Sequence, residues 1–222
     1  QPLTPPDSLA LVRGAFGGDE VSDSVATLIL AKAEGNPFFL EELARAAREQ
    51  GPTSTTLTAP ETVQEVLLAR INRLPAPHRH LLQAAAVIGK DAPFEILLAI
   101  IDGPEDTLRD SLGDLQRANF IYESSTFPQT EYTFKHALTR EVAYGSLPVE
   151  DRRILHAKIL DAIEVVHRNR LSEHVERLAY HAFQGQVWSR AVTCLRQAGG
   201  KALSSAAYST AAAHFEQGLV AL

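Results

Sequence analysis

Apolar residues recur every three or four positions along most of this chain, which is the spacing of amphipathic helices. The first helix is expected after Thr4, because two prolines and an aspartate follow it and form a favourable helix start. The second is expected from a Ser22 cap to Gly35, and the third from Pro37 to about residue 50. Together they predict a small helical bundle.

A polar stretch without periodicity, residues 51–56, is the clearest linker in the chain. Thr58 and Glu61 then have the spacing of a capping box ahead of a fourth helix, which Pro75 ends. Further helices are each expected to open at a proline: Pro77, Pro93 and Pro104. The sequence therefore places a domain boundary at the linker.

After Asn119 the helical spacing gives way to an alternation of aromatic, β-branched and polar residues. Residues 120–123 and 131–134 are expected to be two strands joined by a polar turn. Three helices followed by a two-stranded wing is the layout of a winged-helix domain. The sequence predicts such a domain over residues 57–147.

Residues 148–222 carry only helical stripes, so antiparallel helices are expected there. Gly199, Tyr208 and Phe215 fit one tetratricopeptide unit, whose helix pair packs small residues against aromatic ones. Trp188 precedes Tyr208 by 20 residues and not by 34, which leaves the register of the repeat open.

The fold predicted from these patterns is mainly α, in three parts. They are a helical bundle at 1–56, a winged-helix domain with one β-hairpin at 57–147, and tetratricopeptide-like helices at 148–222. The 222 residues, of which 45% are hydrophobic, suffice for a sizeable core.

Composition also indicates a compartment. The single cysteine, Cys194, excludes an internal disulfide and fits a reducing environment. No apolar run approaches the roughly 20 residues needed to cross a bilayer, so we expect a cytoplasmic protein without a membrane partner. The first residues lack the regions of a signal peptide and read as an internal part of a longer chain.

Gly35 and Asn36 place a helix stop and a helix start back to back. Gly35 is expected to take the left-handed conformation that closes one helix. Asn36 then caps the next helix, with Pro37 at its first position. Such a junction would aim open N–H groups and the positive end of a helix dipole at one point, where an anion or nucleotide could sit. An ordinary helix corner that binds nothing is the alternative.

His136 directly follows the second predicted strand and begins a helix. Its imidazole would therefore leave the domain surface at a defined angle and could donate to a phosphate oxygen. The alternatives are that it caps its own helix or meets a carboxylate.

The sequence contains none of the common catalytic or metal-binding motifs. It has no Walker-type phosphate loop, no nucleophile elbow and no cluster with zinc spacing, and His78 and His80 are expected to be solvated. No catalytic residue and no metal ligand is predicted. DNA binding is not expected either, because the helix before the wing carries four acidic against two basic side chains and phosphates would repel it.

Three ordered motifs closely resemble the lid, winged-helix and junction segments of bacterial STAND ATPases, the signal-transduction ATPases with numerous domains. They are AEGNPFFLEEL at 33–43, RLP at 73–75 with AAAVIG at 84–89, and FKHALTREVAY at 134–144. The nearest subgroup looks like the ATPase modules fused to class III adenylate or guanylate cyclases, with the large LuxR-type regulators as cousins.

The resemblance implies a nucleotide-controlled switch. In this family the Gly-x-Pro turn of the lid, matched by Gly35, Asn36 and Pro37 and followed here by Phe38, lies beside the adenine. A histidine of the winged-helix domain, matched by His136, approaches the β-phosphate of ADP and latches the inactive state. ADP or ATP, with Mg²⁺, would be held by an upstream nucleotide-binding core.

The family also implies that the helical repeats bind an activating protein partner. The leading hypothesis is therefore the regulatory portion of a signal-transduction ATPase, which senses ADP or ATP and relays the state to a cyclase or transcriptional output domain. The alternatives are a nucleotide-independent helical scaffold for protein partners, and a winged-helix DNA-binding regulator.

Overall fold

The computed structural model of the chain describes residues 2–16, 21–50, 62–126 and 129–222. Over these ranges the chain is mainly helical, with twelve α-helices and one three-stranded antiparallel sheet. The predicted mainly α fold is confirmed. The chain forms two compact units, Gln1–Leu74 and Pro75–Leu222.

The first unit consists of four helices. They are α1 (Pro5–Ala15), α2 (Asp23–Ala33), α3 (Pro37–Gln50) and α4 (Val63–Arg73). Thr4 and Ser22 cap α1 and α2 through their side-chain oxygens, as predicted. The α4 helix begins with a capping box formed by Thr62 and Glu65. The box predicted at Thr58 and the linker predicted at 51–56 lie outside the described residues.

The core of the first unit explains why α4 belongs to it. Val66 of α4 is buried in the same cluster as Ile29 and Leu40 of the preceding helices. In addition, Arg70 of α4 forms a buried ion pair with Glu42 of α3. The division between the units therefore falls after Leu74, whereas the sequence assigned α4 to the second segment.

The second unit begins with seven elements. They are α5 (Ala76–Ile88), β1 (Asp91–Pro93), α6 (Phe94–Ile100), α7 (Glu105–Arg117), β2 (Ile121–Thr126), β3 (Gln129–Phe134) and α8 (Ala137–Gly145). The strands lie in the order β1-β3-β2 and are all antiparallel. The predicted hairpin is formed by β2 and β3, and both strands extend into residues 124–130, where the sequence predicted the turn. The strand β1 was not predicted.

Helices make up the remainder of the second unit. They are α9 (Val149–Val166), α10 (Val175–Gln184), α11 (Trp188–Ser204) and α12 (Tyr208–Val220), with a short 3-10 turn at Leu171–His174. α11 packs against both α10 and α12. A Cβ atom added at Gly199 would lie 2.6 Å from the Phe215 ring, so a small residue does pack on an aromatic one here. None of the helices among the described residues is long and apolar enough to cross a membrane.

Candidate functional site

A turn of three residues, 34–36, joins α2 to α3. After Ala33, both Glu34 and Gly35 have left-handed backbones, with φ of 47° and 77°. The amide of Asn36 then donates to the carbonyl of Ala33 at 2.8 Å. The left-handed stop predicted at Gly35 is therefore formed, and it begins one residue earlier, at Glu34.

Gly35 is required here for two separate reasons. Its positive φ is accessible to glycine at little cost. Furthermore, the Leu3 backbone crosses the turn so closely that a Cβ atom at position 35 would lie 2.7 Å from the Leu3 carbonyl oxygen. The Leu3 amide also donates to the Gly35 carbonyl at 2.8 Å. The segment before α1 is thereby fixed against the α2–α3 turn.

Asn36 caps α3 as predicted. Its Oδ1 accepts from the Phe39 amide at 3.2 Å, and its carbonyl accepts from the Leu40 amide at 2.9 Å. Pro37 has no amide hydrogen to offer. The expected group of open N–H donors is thus corrected, because the cap and the helix already engage the amides of Phe39 and Leu40. The helix dipole and the side chains around the turn remain as binding features.

A cleft of about 330 Å³ opens at this turn, lined by Pro2, Glu34, Asn36 and Pro37. Its size falls at the lower end of the range of roughly 300–1,000 Å³ that is usual for small-molecule sites. The two proline rings provide apolar surface, while the Asn36 amide and the Glu34 carboxylate provide polar groups. Such a lining suits a flat, partly polar ring.

Most of the predicted lid residues belong to this cleft. Asn36 and Pro37 line it, Gly35 shapes the turn that forms it, and Phe38 follows Pro37 in the first turn of α3 and is half-buried. The sequence missed Pro2 and Glu34. Glu34 could have been found from its place directly before the glycine, whereas Pro2 enters the cleft through a contact over more than thirty residues.

His136 lies in the second unit, at the N-cap position of α8. Its carbonyl accepts from the Thr139 and Arg140 amides at 3.1 and 3.4 Å, whereas its side chain makes no capping hydrogen bond. The alternative in which the imidazole caps its own helix is therefore not what the structure shows. The ring is half-buried, and buried Phe134 anchors the end of β3 just before it.

The candidate residues thus fall into two groups. Gly35, Asn36, Pro37 and Phe38 form one continuous segment of the first unit, and His136 belongs to the second unit. The hypothesis that both groups face a single nucleotide stays a prediction.

A buried polar chain that the sequence did not reveal connects three helices of the second unit. The Tyr144 hydroxyl of α8 lies 3.2 Å from Nε2 of His156 on α9. Nδ1 of His156 lies 2.9 Å from Nδ1 of His181 on α10. Burial, reinforced by the Arg152 guanidinium, lowers the pKa of His156 to about 4. Burial is also the main cause that lowers the pKa of His181, to about 3. Both rings are therefore neutral near pH 7.

Both arginines of α7, the helix before the hairpin, form ion pairs with carboxylates of the same helix. Arg109 pairs with Glu105 at 2.7 Å, and Arg117 pairs with Asp114. Nε2 of His78, a side chain that the sequence predicted to be solvated, is only 20% exposed and lies 3.1 Å from the Asp114 carboxylate. Throughout the part of the chain that the structure describes, no group of three or more histidine, cysteine or acidic side chains could hold a metal ion.

No protein-family model matches the chain. Over 158 aligned residues the chain is 26% identical to the uncharacterized protein R02095 of Rhizobium meliloti (strain 1021). The alignment covers 64% of this chain and 15% of that protein, so the chain spans only a small part of its relative's length.

Proposed function

We propose that this chain is the regulatory portion of a nucleotide-dependent signal-transduction ATPase of the STAND type. In this proposal the first unit is the lid over a bound nucleotide, and the second unit is a winged-helix domain followed by tetratricopeptide-like helices. The chain senses ADP or ATP in an upstream core and relays the state to a cyclase or transcriptional output domain. The observation that carries the proposal is the cleft at the Gly35–Pro37 turn, because the motif match assigns the adenine to this turn.

The lining of the cleft supports a purine base as its occupant. Pro2 and Pro37 offer ring surfaces for stacking, and the Glu34 carboxylate offers an acceptor for an exocyclic amino group. A volume of about 330 Å³ holds a base more readily than a whole nucleotide. The sugar, the phosphates and Mg²⁺ would therefore be held by the upstream core.

His136 is the proposed phosphate sensor. Its backbone is fixed between β3 and α8, so the ring projects from a defined point of the second unit. A histidine N–H can donate to a phosphate oxygen, and such a charge-assisted hydrogen bond contributes about 1.5–3 kcal/mol. This interaction would favour the ADP-bound arrangement.

The proposed mechanism is a shift of population between a latched and an open arrangement. A nucleotide moves such an equilibrium only through its different affinity for the two states. ADP would join the lid cleft and His136 around one ligand, and exchange for ATP would release His136. The helical repeats would then present a changed surface to an activating protein. We place this switch in the cytoplasm, where Cys194 stays reduced.

The test is calorimetric titration of the polypeptide that includes the upstream core with ADP and with ATP. His136→Ala should weaken ADP binding by about tenfold or more and raise the basal output, because one charge-assisted hydrogen bond is lost. Pro37→Ala should weaken the binding of both ADP and ATP by a similar factor, because the two nucleotides have the same base. His78→Ala, which removes a half-buried histidine of the same unit as His136, is the control and should change neither affinity.

Unchanged ADP affinity in both His136→Ala and Pro37→Ala would refute the proposal. A partner that then bound equally well with ADP, ATP or neither would favour the nucleotide-independent scaffold. Salt-dependent binding of a DNA duplex would favour the transcription-factor alternative, which we do not expect because both arginines of α7 are already paired with carboxylates.

A further inference from the structure

The turns that join α10 to α11 and α11 to α12 have the same backbone. Gln186 and Ala206 are both left-handed, with φ of 55° and 57°. The next residues, Val187 and Ala207, have φ and ψ of −86° and 69° and of −87° and 66°. In both turns the amide of this residue donates to the carbonyl five positions earlier at 2.9 Å. The same turn therefore recurs after 20 residues.

The interface between α11 and α12 shows which face of a helix its successor covers. Leu195 is only 1% exposed, and its Cβ atom lies 3.7 Å from the position of a Cβ added at Gly218. One turn further along α11, the Phe215 ring covers Gly199. The face of α11 that includes Leu195 and Gly199 is thus buried by α12.

The same face of α12 carries apolar side chains that the described chain leaves exposed. Phe215 and Leu219 stand 20 residues after Leu195 and Gly199, and they are 38% and 70% exposed. We define the outer stripe by the exposed apolar residues Ala212, Phe215 and Leu219, which have helical spacing on this face of α12, and by Leu222, which follows the end of the helix. Their counterparts on α11 are all buried or half-buried: Val192, Leu195, Gly199 and Ala202.

We propose that the outer stripe binds one further α-helix of the same polypeptide, placed on α12 as α12 is placed on α11. The stripe continues an interface that the fold already contains, because α12 covers this face of α11 after a turn that has the same backbone as the turn between α10 and α11. A stacked repeat buries each helix between two neighbours, and an exposed apolar face is the expected sign of a missing neighbour. This inference is independent of nucleotide binding.

The shape of the stripe specifies the occupant further. On α11 the position of Leu219 is taken by Gly199, which leaves space for the Phe215 ring. On α12 the aliphatic side chain of Leu219 projects from that position instead. The covering helix must therefore be amphipathic and carry a small residue, such as glycine or alanine, opposite Leu219.

Thiol labelling tests the proposal. Leu219→Cys is compared with Val220→Cys in the protein as its cell makes it. Val220 is the matched control, because its counterpart on α11, Gly200, stays exposed although α12 is in place. Both positions are at least 70% exposed here, so neither change should disturb folding. Labelling of the unmodified protein measures the background from the buried Cys194.

We expect the Leu219→Cys variant to be labelled at least about tenfold more slowly than the Val220→Cys variant, at any protein concentration. Equal rates would overturn the proposal. Protection at position 219 that grows with protein concentration would also overturn it, because a second copy would then be the occupant. Protection that requires another added protein would assign the stripe to a partner and overturn it likewise.

Discussion

Single residues at the α2–α3 turn decide whether the cleft exists. The left-handed pair Glu34 and Gly35 directs the chain into α3, and the Leu3 backbone fills the space that a side chain at position 35 would need. The Pro2 ring reaches the cleft from the same N-terminal segment. The geometry of the turn and the lining of the cleft thus depend on one residue without a side chain.

Gly35→Ala should destabilise the first unit by about 1–2 kcal/mol through its backbone conformation alone. The clash with the Leu3 carbonyl adds to this cost. Gly14→Ala is the matched control, because a Cβ atom there meets open space within α1. We expect it to raise stability by about 0.5–1 kcal/mol. Urea unfolding measures both, and equal effects of the two substitutions would contradict this account of Gly35.

Between elements, the ion pair of Glu42 and Arg70 holds α4 on α3. These side chains are only 3% and 2% exposed. Removal of one partner from a buried pair leaves an uncompensated charge, whereas replacement of both by apolar groups is often neutral. The pair therefore fixes which unit α4 joins more than it adds to net stability.

Glu42→Gln should lower the free energy of unfolding by about 3–5 kcal/mol, because it removes the charge of one partner from a buried ion pair. The double variant Glu42→Leu with Arg70→Met should recover most of this loss. Glu41→Gln, next in the chain and only half-buried, serves as the control. Denaturant titration of the four proteins gives the comparison. A double variant no more stable than Glu42→Gln would show that the pair contributes more than charge compensation.

The elements whose stabilising contacts lie close together in the sequence were predicted, whereas those that depend on distant contacts were missed. The starts of α1, α2 and α3 follow from Thr4, Ser22 and Asn36, because a cap is made within four residues. The strand β1 was missed because its three residues are stabilised by pairing with β3, about forty positions later. The placement of α4 was missed for the same reason, since Glu42 and Arg70 lie 28 residues apart.

For the whole molecule, the buried imidazoles of His156 and His181 predict a loss of stability in acid. Both rings have lowered pKa values in the fold, whereas an unfolded chain takes up protons below about pH 6.5. The stability that the two neutral rings contribute is fully present above about pH 6.5. It is lost as the pH falls toward about 4 for His156 and about 3 for His181.

Between about pH 6.5 and its lowered pKa, each of these histidines should raise the equilibrium constant of unfolding by up to about tenfold for each pH unit of acidification. Unfolding experiments from about pH 7 to about pH 4.5 should therefore show a steeper fall for the unmodified chain than for His181→Gln. His80→Gln, at the surface of α5, controls for the loss of a histidine. Parallel curves for the unmodified chain and His181→Gln would contradict the assignment. Arg152 and Arg177 lie near these rings and add to the same trend.

The candidate site likewise has residues that a local sequence pattern indicates and residues that only distant contacts bring into place. Gly35, Asn36, Pro37 and His136 stand in short motifs, so the sequence alone could nominate them as candidates. The part of Pro2 in the cleft depends on the return of the N-terminal segment to the turn, which no local pattern encodes. The histidine pair was missed for a similar reason, because its members are 25 residues apart and nothing marks either as buried.

The 2.9 Å gap between the two Nδ1 atoms admits one hydrogen, so the imidazoles of His156 and His181 must be opposite tautomers. If His156 holds that hydrogen, its Nε2 accepts from the Tyr144 hydroxyl; if His181 holds it, the Nε2 of His156 donates to Tyr144 instead. The link from α8 to α10 therefore has a polarity, and reversing it requires every hydrogen in the chain to move together.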